Sequence, residues 1–217
     1  MTDVAVLPAA VDAVRPFLSW LDMAGVAVFA ISGALAAARA RQTIVTFAFF
    51  AAITGIGGGT LRDLLIGAPV FWVARSDYIV ICLLAAVGVW VLRADRWQLP
   101  ALLWFDAIGM AAYAVIGAAK AASYGLPPLP CIVMGVLTAS FGGIIRDVLA
   151  GEPSVLMRPE IYVSAAALGA GSYIGLAELG MATWLAGSIG CAAGFGLRAL
   201  AIGRGLALPA YRRNSLE

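Results

Sequence analysis

Residues 54–69 read TGIGGGTLRDLLIGAP, and residues 138–153 read TASFGGIIRDVLAGEP. Thr, Gly-Gly, Arg-Asp, Leu, Gly and Pro recur in register, 84 residues apart and without a gap. Upstream, LDMAGVAVFAISGA at 21–34 is echoed at the same offset by FDAIGMAAYAVIGA at 105–118. An internal repeat of this length sets the architecture before any single motif does. Each copy also embeds charge and glycine in apolar sequence, where both need a physical reason.

Composition names the solvent. Of the 217 residues 63% are hydrophobic and 12% charged, with a mean hydropathy of +0.97. A soluble domain carries roughly 45–50% apolar and about 25% charged residues. The excess reads as an integral membrane protein. A net charge of +2 gives no footprint for nucleic acid. Cys82, Cys131 and Cys191 are odd in number, far apart and each in an apolar run, so they read as buried thiols. There is no histidine, which removes the commonest general base and the commonest zinc and haem ligand. No cofactor is expected. The N-terminus lacks a basic n-region and is not read as a cleaved signal.

A helix needs about 20 apolar residues to cross about 30 Å of hydrocarbon. Seven candidate spans appear, at roughly 17–38, 44–66, 78–92, 102–122, 129–150, 161–177 and 181–202. The breaks are short, so the chain reads as one transmembrane domain over 1–217. Spans one to three (about 17–92) match spans four to six (about 101–177), and the seventh (about 181–202) stands alone. Three spans per copy means that the second copy enters from the opposite side. This is a 3+3 inverted repeat with a pseudo-two-fold axis in the membrane plane. Basic residues near span ends set the orientation. Arg39, Arg41, Arg93, Arg96, Arg158, Arg204, Arg212 and Arg213 fall on one side, against Arg15 and Arg75, or three with Lys120, on the other. That places the N-terminus outside and the C-terminus in the cytoplasm.

Span two carries Gly55, Gly57, Gly58 and Gly59, and span five carries Gly142 and Gly143. Each glycine inside a helix costs on the order of 1 kcal/mol relative to alanine. At about 1.5 Å per residue the first cluster lies about 20 Å into its span, just past the middle. The expectation is a kink in spans two and five that frees carbonyls and N–H groups facing protein or water. Close helix packing is the other reading, since Gly55-x-x-x-Gly59 is a small-residue contact motif. Matching clusters in two inverted copies favour a permeation role. Thr54, Thr138, Ser140 and Tyr113 supply neutral oxygens nearby.

Asp22, Arg62, Asp63, Asp106, Lys120, Arg146, Asp147 and Arg198 lie in or beside the spans. Each costs at least about 2.5–3.5 kcal/mol at a helix centre. The arginines can snorkel to the interface. Aspartate is too short to do so. Adjacent Arg and Asp point about 100° apart on a helix, so their partners are expected on other spans, with Asp22 and Asp106 as candidates. Lys120 stands where the first copy has Ala36, as a snorkelling anchor or as a pore charge that senses voltage.

Seven spans, the inverted repeat, and the paired GGGTLRD and FGGIIRD segments resemble the prokaryotic members of the trimeric intracellular cation (TRIC) channel family. The resemblance runs from about residue 20 to 204. It implies a homotrimer in a bacterial plasma membrane, with one pore per subunit bent around the glycine kinks and passing K⁺ with some Na⁺. It makes Gly57, Gly58, Gly59, Gly142 and Gly143 the kink residues, and Arg62, Asp63, Arg146 and Asp147 the bracing charges. Lys120 matches a span-four basic position linked to gating in animal members. Phe141, where the first copy has Gly57, departs from the repeat and narrows the path on one side. The alternative is a small-solute carrier, since short bacterial membrane proteins with this doubled motif have been grouped as glycine transporters. A membrane enzyme lacks any nucleophile motif or cofactor fingerprint.

Overall fold

The computed structural model describes residues 8–92, 98–154, 156, 157 and 159–209. Arg93, Arg96, Arg158, Arg212 and Arg213 of the basic-residue count lie outside the described residues. The described chain is helical: α1 (Pro8–Arg39), α2 (Ile44–Leu65), α3 (Phe71–Ala74), α4 (Asp77–Leu92), α5 (Gln98–Ser123), α6 (Pro128–Leu149), α7 (Val163–Glu178) and α8 (Thr183–Arg204). β-Pairing among the described residues is limited to one isolated bridge, Glu160 with Ala207. Among the described residues, five helices are long and apolar enough to cross a membrane, within α1, α2, α5, α6 and α8. Helix α4 is a shorter apolar helix, and α7 has 16 residues. The one-turn α3 was not expected from the sequence.

The packing repeats with the sequence. Helices α1, α2 and α4 contact one another, as do their counterparts α5, α6 and α7. The copies meet along α1–α5 and α2–α6, and α8 closes on α5 and α7. The core is built largely of alanine with Val26, Phe29, Met110 and Tyr113. Small residues suit helices that meet in lipid, where association rests on close approach rather than on expulsion of water. Large apolar side chains such as Val45, Leu84, Val91 and Leu92 face outward instead. That distribution, apolar outside and small inside, belongs to a multi-pass membrane protein.

The tail of the doubled motif is a helix stop. Gly67 and Gly151, equivalent across the repeat, have φ of 69° and 70°. Ala68 N–H donates to the Asp63 carbonyl at 2.8 Å, and Glu152 N–H to the Asp147 carbonyl at 3.0 Å. Gly67 and Gly151 N–H donate to the carbonyls of Leu64 and Val148. This is a Schellman closure, which needs a residue in the left-handed region and so selects glycine, with proline following because the helix cannot continue. Each closure ends its helix two residues beyond the Arg-Asp pair.

Candidate functional site

The glycine clusters do not interrupt their helices. Helices α2 and α6 each run continuously for 22 residues through them. The expectation of a broken helix with freed carbonyls is therefore corrected. The glycines make contact possible instead. A Cβ on Gly58 would collide with the carbonyl oxygen of Thr138, and one on Gly142 with the carbonyl oxygen of Thr54. Gly33 abuts Thr54 within the first copy as Gly117 abuts Thr138 within the second, and between the copies Gly25 lies against the Tyr113 ring as Gly109 lies against Phe29. The glycine contacts that one copy makes with the other are returned by their equivalents, which is the mark of a two-fold relation. Gly57 is roomier, with its nearest neighbour Ile145 Cδ1 at 3.6 Å from the added carbon, and Gly59 would meet Phe71. Gly143 would be in ordinary contact with Asp106 and Arg146. Phe141 is half-buried on α6.

The hydroxyls mostly turn back on their own helices. Thr138 donates to the Met134 carbonyl and Ser140 to the Val136 carbonyl, both at 2.6 Å. Tyr113 donates to the Asp22 carbonyl at 3.3 Å. Thr54 Oγ1 is buried with no hydrogen-bond partner among the described residues.

The arginines do not snorkel. Arg62 and Arg146 are 1% and 3% exposed. Nor do they ignore their neighbours in sequence. Arg62 Nε donates to Asp63 Oδ1 and Arg146 Nε to Asp147 Oδ1, each at 2.8 Å. The Cβ atoms diverge by about 100° as a helix demands, yet a guanidinium on a three-methylene stem folds back across that arc. Sequence reasoning weighed the directions and overlooked the reach.

Beyond this shared bond the two clusters differ. In the second, Arg146 Nη1 meets Asp106 Oδ1 on α5 at 2.6 Å and also bonds the Ser32 hydroxyl on α1, while Nη2 lies 2.8 Å from Asp147. The expected pairing of an arginine with Asp106 is present. In the first, Asp63 is the hub. It accepts from Arg62, from Lys120 Nζ at 2.7 Å, and from the Phe71 N–H at 3.0 Å, which hangs α3 on its carboxylate. Lys120 thus reaches inward to a buried carboxylate rather than out to the interface. The Arg62 guanidinium lies over the Phe71 ring, which packs edge-on against Tyr78. Tyr78 in turn donates to Asp22 Oδ2 at 2.8 Å. Asp22 Oδ1 and Arg62 Nη1 are buried and have no partner among the described residues.

A cavity of about 140 Å³ opens beside the second cluster. Its walls include Ala36, Arg39, Asp106, Arg146, Asp147, Ala150, Glu152, Glu160 and Arg198. Arg198 bonds Glu160 at 2.6 Å and lies over the Tyr162 ring. Arg39 approaches Glu152 at 3.7 Å. Four carboxylates against three guanidiniums make a polar chamber with a slight acidic excess. Ser32, Phe71, Tyr78 and Glu160 were not singled out from the sequence. Only Tyr78 and Tyr162 carried a signal, as equivalent tyrosines at the start of matching helices.

Two stretches, residues 19–94 and 103–178, match one family model, described as Glycine transporter. The two matches are offset by the same 84 residues as the motifs. Among solved structures, the TRIC trimeric intracellular cation channel orthologue of Rhodobacter sphaeroides is 43% identical, with a TM-score of 0.85 over 88% of this chain and 99% of that one. The chain belongs to the prokaryotic TRIC channel family. Another prokaryotic TRIC channel, solved in 0.5 M KCl, is 26% identical with a TM-score of 0.83, covering 89% of this chain and all of that one. The inner membrane protein YadS of Escherichia coli is 41% identical over 156 residues, which is 69% of this chain and 74% of YadS. In this TRIC-family chain the doubled motif is therefore the α2–α6 crossing with a charged cluster beyond each glycine pair.

Proposed function

We propose that this chain is a K⁺-permeable monovalent cation channel, with Na⁺ passing less well, and with one path in each subunit of a homotrimer. The observation that carries the reading is the pair of buried Arg-Asp clusters beyond a reciprocal glycine crossing, with an acid-rich chamber opening onto one of them. A buried charge in a membrane helix is costly and by default marks a pathway. The path runs from the chamber past Asp106, Arg146 and Asp147, alongside the α2–α6 crossing, and on to Asp63, Lys120 and Asp22. Carboxylates, rather than freed carbonyls, offset the loss of water from the cation. The crossing at Gly58 and Gly142 is the constriction, bent open in the conducting state, with Phe141 beside it. Lys120, salt-bridged to Asp63 across the path, is the gating charge. The chain spans the bilayer seven times as a single domain, with two inverted units (about 17–92 and 101–177) and a last helix. Its N-terminus lies outside and its C-terminus in the cytoplasm of a bacterial cell.

Purified protein in a planar bilayer under a K⁺ gradient tests this. Unitary currents that reverse near the K⁺ potential are expected. The family model's description favours a second reading, a glycine-type carrier. Electrical silence together with saturable glycine uptake in vesicles would refute the channel in favour of that carrier. A crosslinking ladder that stops at two would refute the trimer.

A further inference from the structure

The two copies pack alike but hold their charges in opposite states. Arg146 Nη1 is bonded to Asp106 Oδ1 at 2.6 Å. The equivalent atoms of the first copy, Arg62 Nη1 and Asp22 Oδ1, are both buried without a partner among the described residues. The bond they lack is the bond their counterparts make. A buried donor and a buried acceptor left unpaired favour any rearrangement that joins them. What holds them apart is visible. Arg62 lies over Phe71, Phe71 packs against Tyr78, and Tyr78 binds the other oxygen of Asp22. Phe71 sits on the single turn α3, hung on Asp63 by one backbone N–H. The chamber lies on the side where the Asp–Arg bond is made.

We infer that the molecule has a second conformation in which the copies exchange states: Asp22–Arg62 forms, Asp106–Arg146 opens, and the chamber passes from one face of the membrane to the other. In an inverted repeat, exchanging the conformations of the two units generates the opposite-facing state from the same contacts. The relocated chamber is framed by the counterparts of the present walls, with Lys120 for Ala36, Ile66 for Ala150, and the Asp22, Arg62 and Asp63 cluster for Asp106, Arg146 and Asp147. Helix α3 is the wedge that moves aside. The inference rests on the proposed path in taking the chamber as one of its ends.

The test is side-specific labelling in sealed vesicles. In a background carrying C82A, C131A and C191A, single cysteines are introduced by I66C or A150C. Each is labelled with a membrane-impermeant thiol reagent from either face. D106N, which weakens the bond now made, should raise the I66C rate by about tenfold and lower the A150C rate, as a shift of one decade in the equilibrium between two states requires. D22N should do the reverse at A150C and leave I66C slow. F71A, which removes the wedge and neither adds nor deletes a charged group, should act as D106N does, and serves if D106N fails to fold. A rise at both positions together, or no change at either, overturns the inference, because local loosening cannot slow A150C. Labelling reads conformation without ion flux. Intact currents with no exchange in labelling would overturn this inference alone, and exchange without currents would overturn the channel alone.

Discussion

Replacing Asp106 by alanine removes the acceptor that Arg146 Nη1 meets at 2.6 Å and leaves the guanidinium with Asp147 and Ser32. The Arg146 and Asp106 side chains are only 4% and 5% exposed, so water from the chamber replaces the lost partner incompletely. Breaking a buried pair from one side costs about 3–5 kcal/mol, because the other charge stays buried. Asp147 still balances Arg146, which puts D106A near the lower end, about 3 kcal/mol. For a chain of this size each kcal/mol moves Tm by about 2–4 °C, so D106A should lower it by about 6–12 °C. R146A strips the cation from both Asp106 and Asp147 and should cost about 5 kcal/mol, or about 10–20 °C. The double variant D106A/R146A should recover about 1–3 kcal/mol relative to the sum of the single losses, as expected for two groups in direct contact. A thiol-reactive dye in a detergent melt reads this directly, since Cys82 and Cys131 are buried until the helices separate. The equivalent change in the first copy, D22A, removes a carboxylate oxygen that has no protein partner along with the Tyr78 bond. It should cost about 1 kcal/mol net. Losses at Asp106 and Arg146 that simply add, or a D22A loss as large as that of D106A, would refute the argument.

Four further outcomes follow from the geometry. G58A and G142A each drive a methyl group into a carbonyl of the opposite copy and should abolish stable folded protein in size-exclusion runs. G57A, at ordinary contact distance, and G88A, with nothing within 4 Å, should stay within about 1 kcal/mol of the parent in the same melts. K120M frees Asp63 from its cation and, on the proposed gating role, should raise K⁺ current at fixed voltage and flatten its voltage dependence in planar bilayers; an unchanged current–voltage curve refutes that role. Y78F removes a hydrogen bond to a carboxylate and should cost about 1.5–3 kcal/mol, whereas Y162F removes the 3.2 Å bond to the Ala139 carbonyl and should cost less in the same assay.

The repeat made most of the fold legible. It fixed the pairing of helices and the equivalence of residues 84 apart, because a copied sequence folds into a copied packing. The long helices fall close to the expected spans, although α1 begins at Pro8 and α3 went unseen because a single turn leaves no period to read. The site was legible in its membership more than in its bonds. Asp106 was a candidate partner for an arginine, and the structure joins it to Arg146. The contact between Arg62 and Asp63 was missed because the helical wheel records where a Cβ points and says nothing of a side chain long enough to return. The glycines read two ways from sequence, as kink or contact. The decisive fact, a carbonyl of the other copy waiting at Gly58 and at Gly142, is tertiary. Gly67 and Gly151 carry a plainer signal, glycine then proline after an apolar run, and mark where both helices stop.

Two differences between the copies account for the asymmetry of their charges. Where the second cluster receives the Ser32 hydroxyl of the first copy, the equivalent residue offered to the first cluster is Ile116. A hydroxyl beside Nη1 shares the burden of a buried guanidinium and holds it towards Asp106, whereas a branched hydrocarbon offers Arg62 nothing. Conversely, Lys120 stands where the other copy has Ala36, and its ammonium fills the first cluster from the side. With Lys120 on Asp63, the first cluster has two cations, Arg62 and Lys120, against two carboxylates, Asp63 and Asp22, whereas the second has two carboxylates around one cation. The clusters differ in net charge as well as in state. A cation entering from the chamber meets the acidic cluster first and the balanced one beyond the crossing. Attraction is therefore stronger on the chamber side. On the proposed gating role of Lys120, that order suits a resting molecule that loads cations but does not pass them until Lys120 withdraws from Asp63.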